Sequence, residues 1–209
     1  MSTSTEAPPR RGASPEETKR RIEDTAERLF RTMGYQKTAV ADIARELGMS
    51  PANVYRFFPS KSAINEAIAA RMLGGLEAEI WAIARGEGPP EERLATLLRT
   101  LHRRHLALFF SERRLHDMVT AAMAEHWGVV ERFIHATTTA VRHVLMDGMA
   151  SGAFAKLDPE ATAKAVKQAV MAFMHPVMIC ECVGRNTPEE EMAGELDTII
   201  ALLLRGLRP

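Results

Sequence analysis

Cysteine is scarce in this chain of 209 residues, and the two that occur, Cys180 and Cys182, lie two positions apart. The stretch around them reads as helix, in which positions i and i+2 point to different sides. We therefore expect neither a shared metal ion nor a mutual disulfide. Two reduced thiols are typical of a protein in a reducing compartment.

Long hydrophobic runs are also missing from the chain. The longest, residues 169–180, is interrupted by His175 and Pro176 and is too short to span a bilayer. Residues 1–11 contain no apolar segment of the kind that signal peptides carry. These absences predict a soluble, cytoplasmic protein without a membrane partner.

The common motifs of catalysis are absent as well. The sequence contains no Gly-x-Ser-x-Gly nucleophile elbow, no phosphate-cradling glycine loop and no paired zinc motif. His102 and His105 have a spacing that can bring two imidazoles to one helix face, although polar or pocket-lining histidines are the simpler interpretation. We expect no enzymatic activity, no cofactor and no bound metal.

The charge of the whole chain does not indicate nucleic acid, because its formal net charge is zero. The distribution is more informative: residues 1–62 carry eleven Lys and Arg against eight Asp and Glu, and the remainder is slightly acidic. A basic excess over the first third fits a surface that faces phosphates. The excess is small, so local motifs have to decide the function.

The elements that are present are helical. Two segments, residues 14–17 and 187–190, have the residue order that is typical of a helix N-terminus. Each contains a capping hydroxyl, then a proline, then a glutamate. No stretch of useful length shows the alternation of apolar and polar residues that is typical of a β-strand, so we predict an all-α fold. The predicted helices cover residues 15–33, two short helices within 38–57, 60–85, 90–110, 113–125, 127–150, 159–183 and 188–206.

The most informative segment is residues 38–61, which reads as a short helix, a turn at Gly48 and a second short helix. Such a pair can present its second helix to the major groove of DNA. Ser50 caps that second helix, and Val54 anchors it to the core. The outward residues then include Asn53 and Arg56, side chains that pair with adenine and guanine edges respectively.

The segment also resembles the TetR/AcrR family of bacterial transcriptional regulators. The resemblance rests on Gly34-Tyr35-x-x-Thr38, Asp42-Ile43-Ala44, Leu47-Gly48-Met49-Ser50 and Val54-Tyr55-Arg56-Phe57-Phe58-Pro59-Ser60-Lys61. It covers about residues 15–65, and the length and helical remainder of the chain also agree. One departure is Ala41, where many members carry arginine or another polar residue, so the family's contact from that position is not carried over.

The resemblance implies a homodimer that represses transcription at a palindromic double-stranded DNA operator and is released by a small-molecule effector. It also implies that Tyr55 and Lys61 contact phosphates and that Thr38 begins the helix beside the DNA backbone. The predicted DNA-binding residues are Thr38, Ser50, Pro51, Ala52, Asn53, Tyr55, Arg56 and Lys61. We predict a tail at residues 1–13, a three-helix DNA-binding domain at 14–60 and a ligand-binding and dimerisation domain at 61–209.

Methionines and aromatic residues are frequent in the C-terminal two-thirds of the chain. Flexible thioethers beside aromatic rings can line a pocket for varied apolar ligands, although the same residues can also simply fill a helical core. A largely hydrophobic effector is expected, because few buried charges are available. The predicted pocket residues are Trp81, His105, Phe109, Met123, Trp127, Met146 and Met174.

Apolar stripes on the last two predicted helices indicate a dimer interface. Two amphipathic helices from each subunit can form a four-helix bundle across a two-fold axis, and Pro176 should kink the first of them. The alternative is that both stripes pack inside one subunit. The predicted interface residues are Val166, Ala169, Val170, Phe173, Val177, Leu196, Ile199, Ile200 and Leu203.

Two other functions stay open at this point. The chain could be a helical small-molecule-binding protein or enzyme whose N-terminal helices only pack. It could also be a metal sensor that uses His102 and His105. A selective, salt-sensitive complex with DNA favours the regulator over the first alternative, and operator binding that is insensitive to chelators excludes the second.

Overall fold

The computed structural model of the protein describes residues 14–110, 128–175, 178–179, 181–182 and 187–209, with the backbone alone for 108–110. Within these residues all regular elements are helical, as predicted. They are α1 (Pro15–Met33), α2 (Val40–Glu46), α3 (Pro51–Tyr55), α4 (Lys61–Ala84), α5 (Pro90–Phe110), α6 (Gly128–Ser151), α7 (Pro159–Ala169), a 3₁₀ turn (Met171–Phe173) and α8 (Glu189–Gly206). The tail predicted at 1–13 and the helix predicted at 113–125 lie outside the described residues.

Helix α1 begins and ends where its sequence predicts. The hydroxyl of Ser14 accepts a hydrogen bond from the main-chain N–H of Glu17 at 3.1 Å, and Pro15 occupies the first helical position. At the other end, Gly34 adopts a positive φ of 94° and donates its N–H to the carbonyl of Phe30. That backbone conformation strongly favours glycine.

Helices α1 to α3 and the first half of α4 enclose one hydrophobic core. The turn between α2 and α3 passes through Gly48, whose φ is 65°. The buried residues of this N-terminal core are Ile22, Ala26, Leu29, Phe30, Tyr35, Val40, Ile43, Ala44, Val54, Phe58, Ile64 and Ile68. This core therefore extends past residue 60 and takes in the start of the helix that we assigned to the C-terminal domain.

The second half of α4 packs with α5 to α8 around a separate C-terminal core. Its larger members are Ile80, Leu94, Leu97, Leu98, Leu101, Phe133, Val141, Val144, Leu145, Phe154, Val166, Val170, Leu196 and Ile200. Helix α4 is thus the long element that joins the two cores. No helix in the described part of the chain is long and apolar enough to cross a membrane.

The single helix predicted over 159–183 is wrong. Helix α7 ends at Ala169, and the chain continues as the 3₁₀ turn. Pro176 has no N–H for the carbonyl four residues before it and disfavours helical geometry at His175, so a continuous helix is unfavourable here. The carbonyl of Phe173 instead lies 2.9 Å from Nδ1 of His102 on α5.

Candidate nucleic-acid interface and C-terminal domain

Helix α3 is held by its inner face and exposes the other. Val54 is fully buried and Phe58 is nearly so, while Tyr55 and Arg56 are exposed. The hydroxyl of Ser50 accepts from the main-chain N–H of Asn53 at 3.3 Å. The prediction of an anchored, capped helix with a polar outer face is confirmed.

The outer face of α3 forms one wall of a shallow concave surface. The residues that line this surface are Gly48, Met49, Ser50, Ala52, Asn53 and Arg56. The side-chain nitrogen of Asn53 lies 3.8 Å from the sulfur of Met49, which restrains the amide group. An amide held in this way can present its oxygen and its second N–H to an adenine edge.

Asp42 fixes the start of α2, a role that the sequence analysis did not assign. Its carboxylate accepts the main-chain N–H of Ala39 at 2.9 Å and pairs with Arg45. The hydrogen bond from Ala39, and then the one from Arg45, lower the pKa of Asp42. An acidic residue at the third helical position is part of the capping-box pattern, so this contact could have been found from the sequence.

Thr38 and Lys61 lie in positions that differ from simple phosphate contacts. Thr38 is buried, and its hydroxyl donates to the carbonyl of Gly34 at 2.9 Å. The ammonium group of Lys61 donates to the carbonyls of Tyr35 at 2.9 Å and Thr38 at 3.2 Å. In this structure both side chains therefore hold the loop between α1 and α2, and their predicted DNA contacts stay a prediction.

Arg71 on α4 is a second residue that the sequence analysis missed. Its guanidinium lies 2.6 Å from Asp24 and also pairs with Glu27 and Glu23, all on α1. Burial has the largest single effect on the pKa of Arg71 and lowers it, but the hydrogen bonds and charges of Asp24 and Glu27 together outweigh burial and raise the pKa. No local pattern reveals a contact between residues that lie more than 40 positions apart.

Two aromatic members of the predicted ligand pocket, Trp81 and His105, both lie beside α6. Trp81 lies against the guanidinium of Arg85, with 4.3 Å to the ring centroid, and near His143 at 5.9 Å. The ring of His105 lies 6.5 Å from the ring of Phe133. Phe133 precedes His143 by ten residues, so these two residues are about 15 Å apart along α6. Trp81 and His105 thus lie beside residues that are ten positions apart on α6, and their shared pocket stays a prediction.

Of the other predicted pocket residues, Met174 packs against the C-terminal core, whereas Met146 is 51% exposed. The side chain of Phe109, and both Met123 and Trp127, lie outside the described residues.

The histidines of α5 are held by main-chain carbonyls. Nδ1 of His105 lies 2.7 Å from the carbonyl of Leu101, and Nδ1 of His102 lies near Phe173, as above. A carbonyl only accepts, so each Nδ1 carries the hydrogen. Burial lowers the pKa of His105, the hydrogen bond to Leu101 opposes this effect in part, and His102 adds a smaller lowering contribution. No group of three or more His, Cys, Asp or Glu within the described ranges is arranged to hold a metal ion.

The predicted dimer stripes face largely inward. Val166, Val170, Leu196 and Ile200 are almost completely buried in the C-terminal core of their own subunit, so a partner subunit can cover no more of them. Phe173, Ile199 and Leu203 are partly buried, Ala169 is exposed, and Val177 lies outside the described residues. An apolar stripe marks a covered face without showing whether the cover is intramolecular.

The opposite faces of α7 and α8 are exposed and carry mostly small residues. They are Ala161, Ala165 and Ala169 on α7, with Gly194, Thr198, Ala201 and Leu202 on α8. We call these two exposed rows, one on each helix, the outer α7–α8 face. Leu202 is 57% exposed, the highest fraction among the large apolar side chains that the structure describes as exposed.

Comparison with known proteins agrees with this architecture. Residues 22–68 match the family described as bacterial regulatory proteins, tetR family, and residues 90–193 match a tetracyclin repressor-like C-terminal domain. The nucleoid occlusion factor SlmA of Haemophilus influenzae is 33% identical over 73 residues, which are 35% of this chain and 34% of that protein. The match thus spans about a third of the length of that relative.

Solved structures share the fold over nearly the whole chain. A TetR/AcrR family regulator from Thermobifida fusca is 24% identical with a TM-score of 0.64, covering 92% of this chain and 99% of that one. FadR from Bacillus subtilis, solved with stearoyl-CoA, is 16% identical with a TM-score of 0.64, covering 90% and 99%. With its helix-turn-helix, its helical C-terminal domain and a family match over each, this chain belongs to the TetR/AcrR family of bacterial transcriptional regulators.

Proposed function

We propose that the protein is a homodimeric repressor that acts in the cytoplasm, binds a palindromic operator and is released by a small, largely hydrophobic effector. The observation that carries this proposal is the geometry of α3, where a buried Val54 leaves Asn53, Tyr55 and Arg56 on the outer side. A short capped helix of this kind can enter the major groove and bring polar side chains to base edges.

The outer residues of α3 have distinct roles in this proposal. Asn53 and Arg56 read base edges, because amide and guanidinium groups can make paired hydrogen bonds to them. Tyr55 donates its hydroxyl to a phosphate, and the exposed Ser50-Pro51-Ala52 segment approaches the DNA backbone. Thr38 and Lys61 support this surface by holding the loop in front of α2.

Dimerisation is proposed through the outer α7–α8 face. Small side chains let helices of two subunits approach closely, and the exposed Leu202 near the C-terminal end of α8 supplies an apolar contact. To read successive major grooves, the two copies of α3 in such a dimer have to lie about 34–36 Å, or a multiple of it, apart. The N-terminal core, which reaches Ile68 on α4, then serves DNA reading, and the C-terminal core serves binding of effector and partner.

An uncharged effector is supported by the composition of the C-terminal core. Among the described residues of the C-terminal domain, the buried polar ones are Thr100 and His102, and neither is a Lys, Arg, Asp or Glu. A charged ligand in an apolar interior needs an opposite charge or many hydrogen bonds. A hydrophobic or aromatic molecule needs neither.

The proposal is tested by fluorescence anisotropy with DNA from the protein's own promoter and with scrambled DNA at about 0.15 M salt. We expect selective binding whose affinity falls steeply as salt rises. Asn53→Ala and Arg56→Ala should relax selectivity, whereas Tyr55→Phe should weaken binding to all sequences alike. Equal affinity of the wild-type protein for both DNAs would refute the proposal and favour a helical binding protein of another kind.

The matched control is Lys156→Ala. Lys156 is exposed in the segment between α6 and α7, in the C-terminal domain. It is a cation far along the chain from α3, so its removal should leave the preference between the two DNAs unchanged. A loss of selectivity in this variant would show that total charge, and not the surface of α3, decides binding.

A further inference from the structure

Beyond residue 90, the described chain has four buried side-chain atoms without a hydrogen-bond partner. One is Nε of Arg93, a guanidinium that is bonded through its other nitrogens. The other three are Nε2 of His102, Oγ1 of Thr137 and Nδ1 of His175. A polar atom that leaves water without gaining a partner costs free energy. Buried polar groups of native proteins are nearly always bonded, so these three atoms need an explanation.

Thr137 differs from the two threonines that follow it on α6. The hydroxyls of Thr138 and Thr139 donate to the carbonyls of Ile134 and His135, four residues earlier, at 2.8 Å and 2.9 Å. This carbonyl is a usual partner of a threonine within a helix. The buried hydroxyl of Thr137 instead has no partner anywhere in the described chain. Its hydrogen is therefore available to a group from outside α6.

Two contacts fix how α5 and α6 lie against each other. Near the start of α5, Arg93 pairs with Asp147 at 3.0 Å. Near its end, the ring of His105 lies 6.5 Å from the ring of Phe133. The two helices therefore run antiparallel. Three residues back from His105 correspond to about three or four residues forward from Phe133, since both helices rise equally per residue.

These steps lead to His102 on α5 and to Thr137 on α6, which therefore lie at one level of the helix pair. Thr137 also shares a helix face with Phe133, four residues before it. Nδ1 of His102 lies 2.9 Å from the carbonyl oxygen of Phe173, and His175 follows two residues later in the chain. The three unpartnered atoms thus belong to side chains around one region, between α5, α6 and the 3₁₀ turn.

His102 also lines an open cleft between α5 and α8. The volume of this cleft is about 460 Å³, a size typical of small-molecule sites. The apolar residues of its wall are Leu106, Ala107, Ala193 and Leu196. A molecule with an apolar body therefore has space beside the imidazole of His102.

The hydrogen-bonding character of these atoms selects the kind of ligand. Since Nδ1 of His102 carries the hydrogen, Nε2 of the neutral ring has a lone pair and accepts. The hydroxyl of Thr137 can donate. A ligand hydroxyl satisfies both, because it can donate to Nε2 and accept from Thr137 at the same time. A carboxylate or an ether oxygen only accepts, and it leaves Nε2 without a donor.

We propose that His102 and Thr137 bind the hydroxyl group of a neutral alcohol or phenol whose apolar body lies in the α5–α8 cleft. His175 borders the same polar site. The identification of this ligand with the effector rests on the proposed function. An analogue without the hydroxyl binds more weakly, because it leaves two buried polar groups unpaired.

The first test is isothermal titration calorimetry of the full-length protein without DNA, with para-propylphenol and its methyl ether para-propylanisole. The phenol should bind about tenfold more tightly than the ether. His102→Asn should abolish this preference, because Asn keeps a donor near the position of Nδ1 and removes Nε2. Thr137→Val should weaken binding of the phenol about fivefold. Equal affinity for the two probes, binding of neither, or tighter binding of para-propylbenzoate overturns the proposal.

The second test needs no ligand and compares urea unfolding of the free proteins. Thr137→Val should raise the midpoint by about 0.3 M, because a methyl group replaces a buried hydroxyl that has no partner. Thr138→Val is the matched control: it loses the bond to Ile134, so its midpoint should not rise, and its affinity for the phenol should equal that of the wild type.

A lower or unchanged midpoint for Thr137→Val overturns the site, because it would show that a partner within the fold or a permanently held water already satisfies the hydroxyl. Both tests are made without DNA. Loss of selective promoter binding by the wild-type protein therefore refutes the proposed function alone, and these two measurements still judge the hydroxyl site.

Discussion

The ammonium nitrogen of Lys61 lies 2.9 Å from the carbonyl oxygen of Tyr35 and 4.4 Å from the centroid of the same residue's ring. It also donates to the carbonyl of Thr38. An ammonium group has three donors and accepts nothing, so two carbonyls and one ring face occupy it. The first residue of α4 therefore fastens the loop that precedes α2, and its influence on DNA binding is expected to be indirect.

Replacing Lys61 with Met keeps most of the apolar stem and removes the charge. We expect the free energy of unfolding to fall by about 1–2 kcal/mol, because two carbonyls lose a charged donor. The slope of log K against log salt concentration for promoter DNA should stay unchanged, since no phosphate contact is lost. A slope reduced by about 0.9 for each Lys61 of the complex would show a direct phosphate contact instead.

Phe154 occupies the space that a side chain at position 148 would need. A Cβ atom built on Gly148 would lie 2.1 Å from Cδ2 of the Phe154 ring, which is 2% exposed. We expect Gly148→Ala to destabilise the fold by about 1–3 kcal/mol, because the ring has to move within a packed core. Urea unfolding measures this loss.

The control for this variant is Gly206→Ala, where the added Cβ meets nothing within 4 Å. That change should be neutral or slightly stabilising, because alanine favours helix. If Gly148→Ala unfolds at the wild-type urea concentration, the ring has free space beside it and the packing described here is wrong.

Much of the N-terminal half was predictable because its determinants are local. Ser14, Pro15 and Gly34 fix the ends of α1, and Ser50 with Val54 fixes which side of α3 faces outward. These positions depend on caps and on helical periodicity, both of which are properties of neighbouring residues. The anchored face of the recognition helix was predicted for the same reason.

What could not be predicted depends on contacts between distant residues. The sequence shows that Lys61 is a cation near a helix start, but not that Tyr35 and Thr38 supply acceptors to it. Likewise, the stripe through Val166 and Leu196 is visible, but its partner is not, and that partner is the subunit's own core. Periodicity identifies a buried face and leaves open what buries it.

Leu202 is the best position at which to test the proposed dimer. Replacing it with Lys should give a folded monomer, because two charges would be brought together across the two-fold axis. Size-exclusion chromatography with light scattering measures the mass, and circular dichroism checks the fold. Leu157→Lys is the matched control, since Leu157 is also exposed but lies outside the outer α7–α8 face. A dimer that persists in the Leu202 variant would place the interface elsewhere.

His105 makes the stability of the C-terminal domain dependent on pH. Burial holds its pKa below the ordinary value of 6.5. Above pH 6.5 the imidazole is neutral in both states and its contribution to stability is complete. As pH falls below 6.5, the unfolded chain takes up a proton that the folded chain does not, so stability is lost at up to about 1.4 kcal/mol per pH unit.

Replacing His105 with Asn removes this titration and keeps a donor near the position of Nδ1, which bonds the carbonyl of Leu101. Urea unfolding of both proteins between about pH 7.5 and about pH 5.5 isolates the effect, because the other histidines titrate in both. The wild type should lose stability relative to the variant as pH falls. The opposite result is a difference in unfolding free energy between the two proteins that stays constant, or that grows in favour of the wild type at low pH. It would mean that the folded protein accepts the proton readily and that burial does not keep this imidazole neutral.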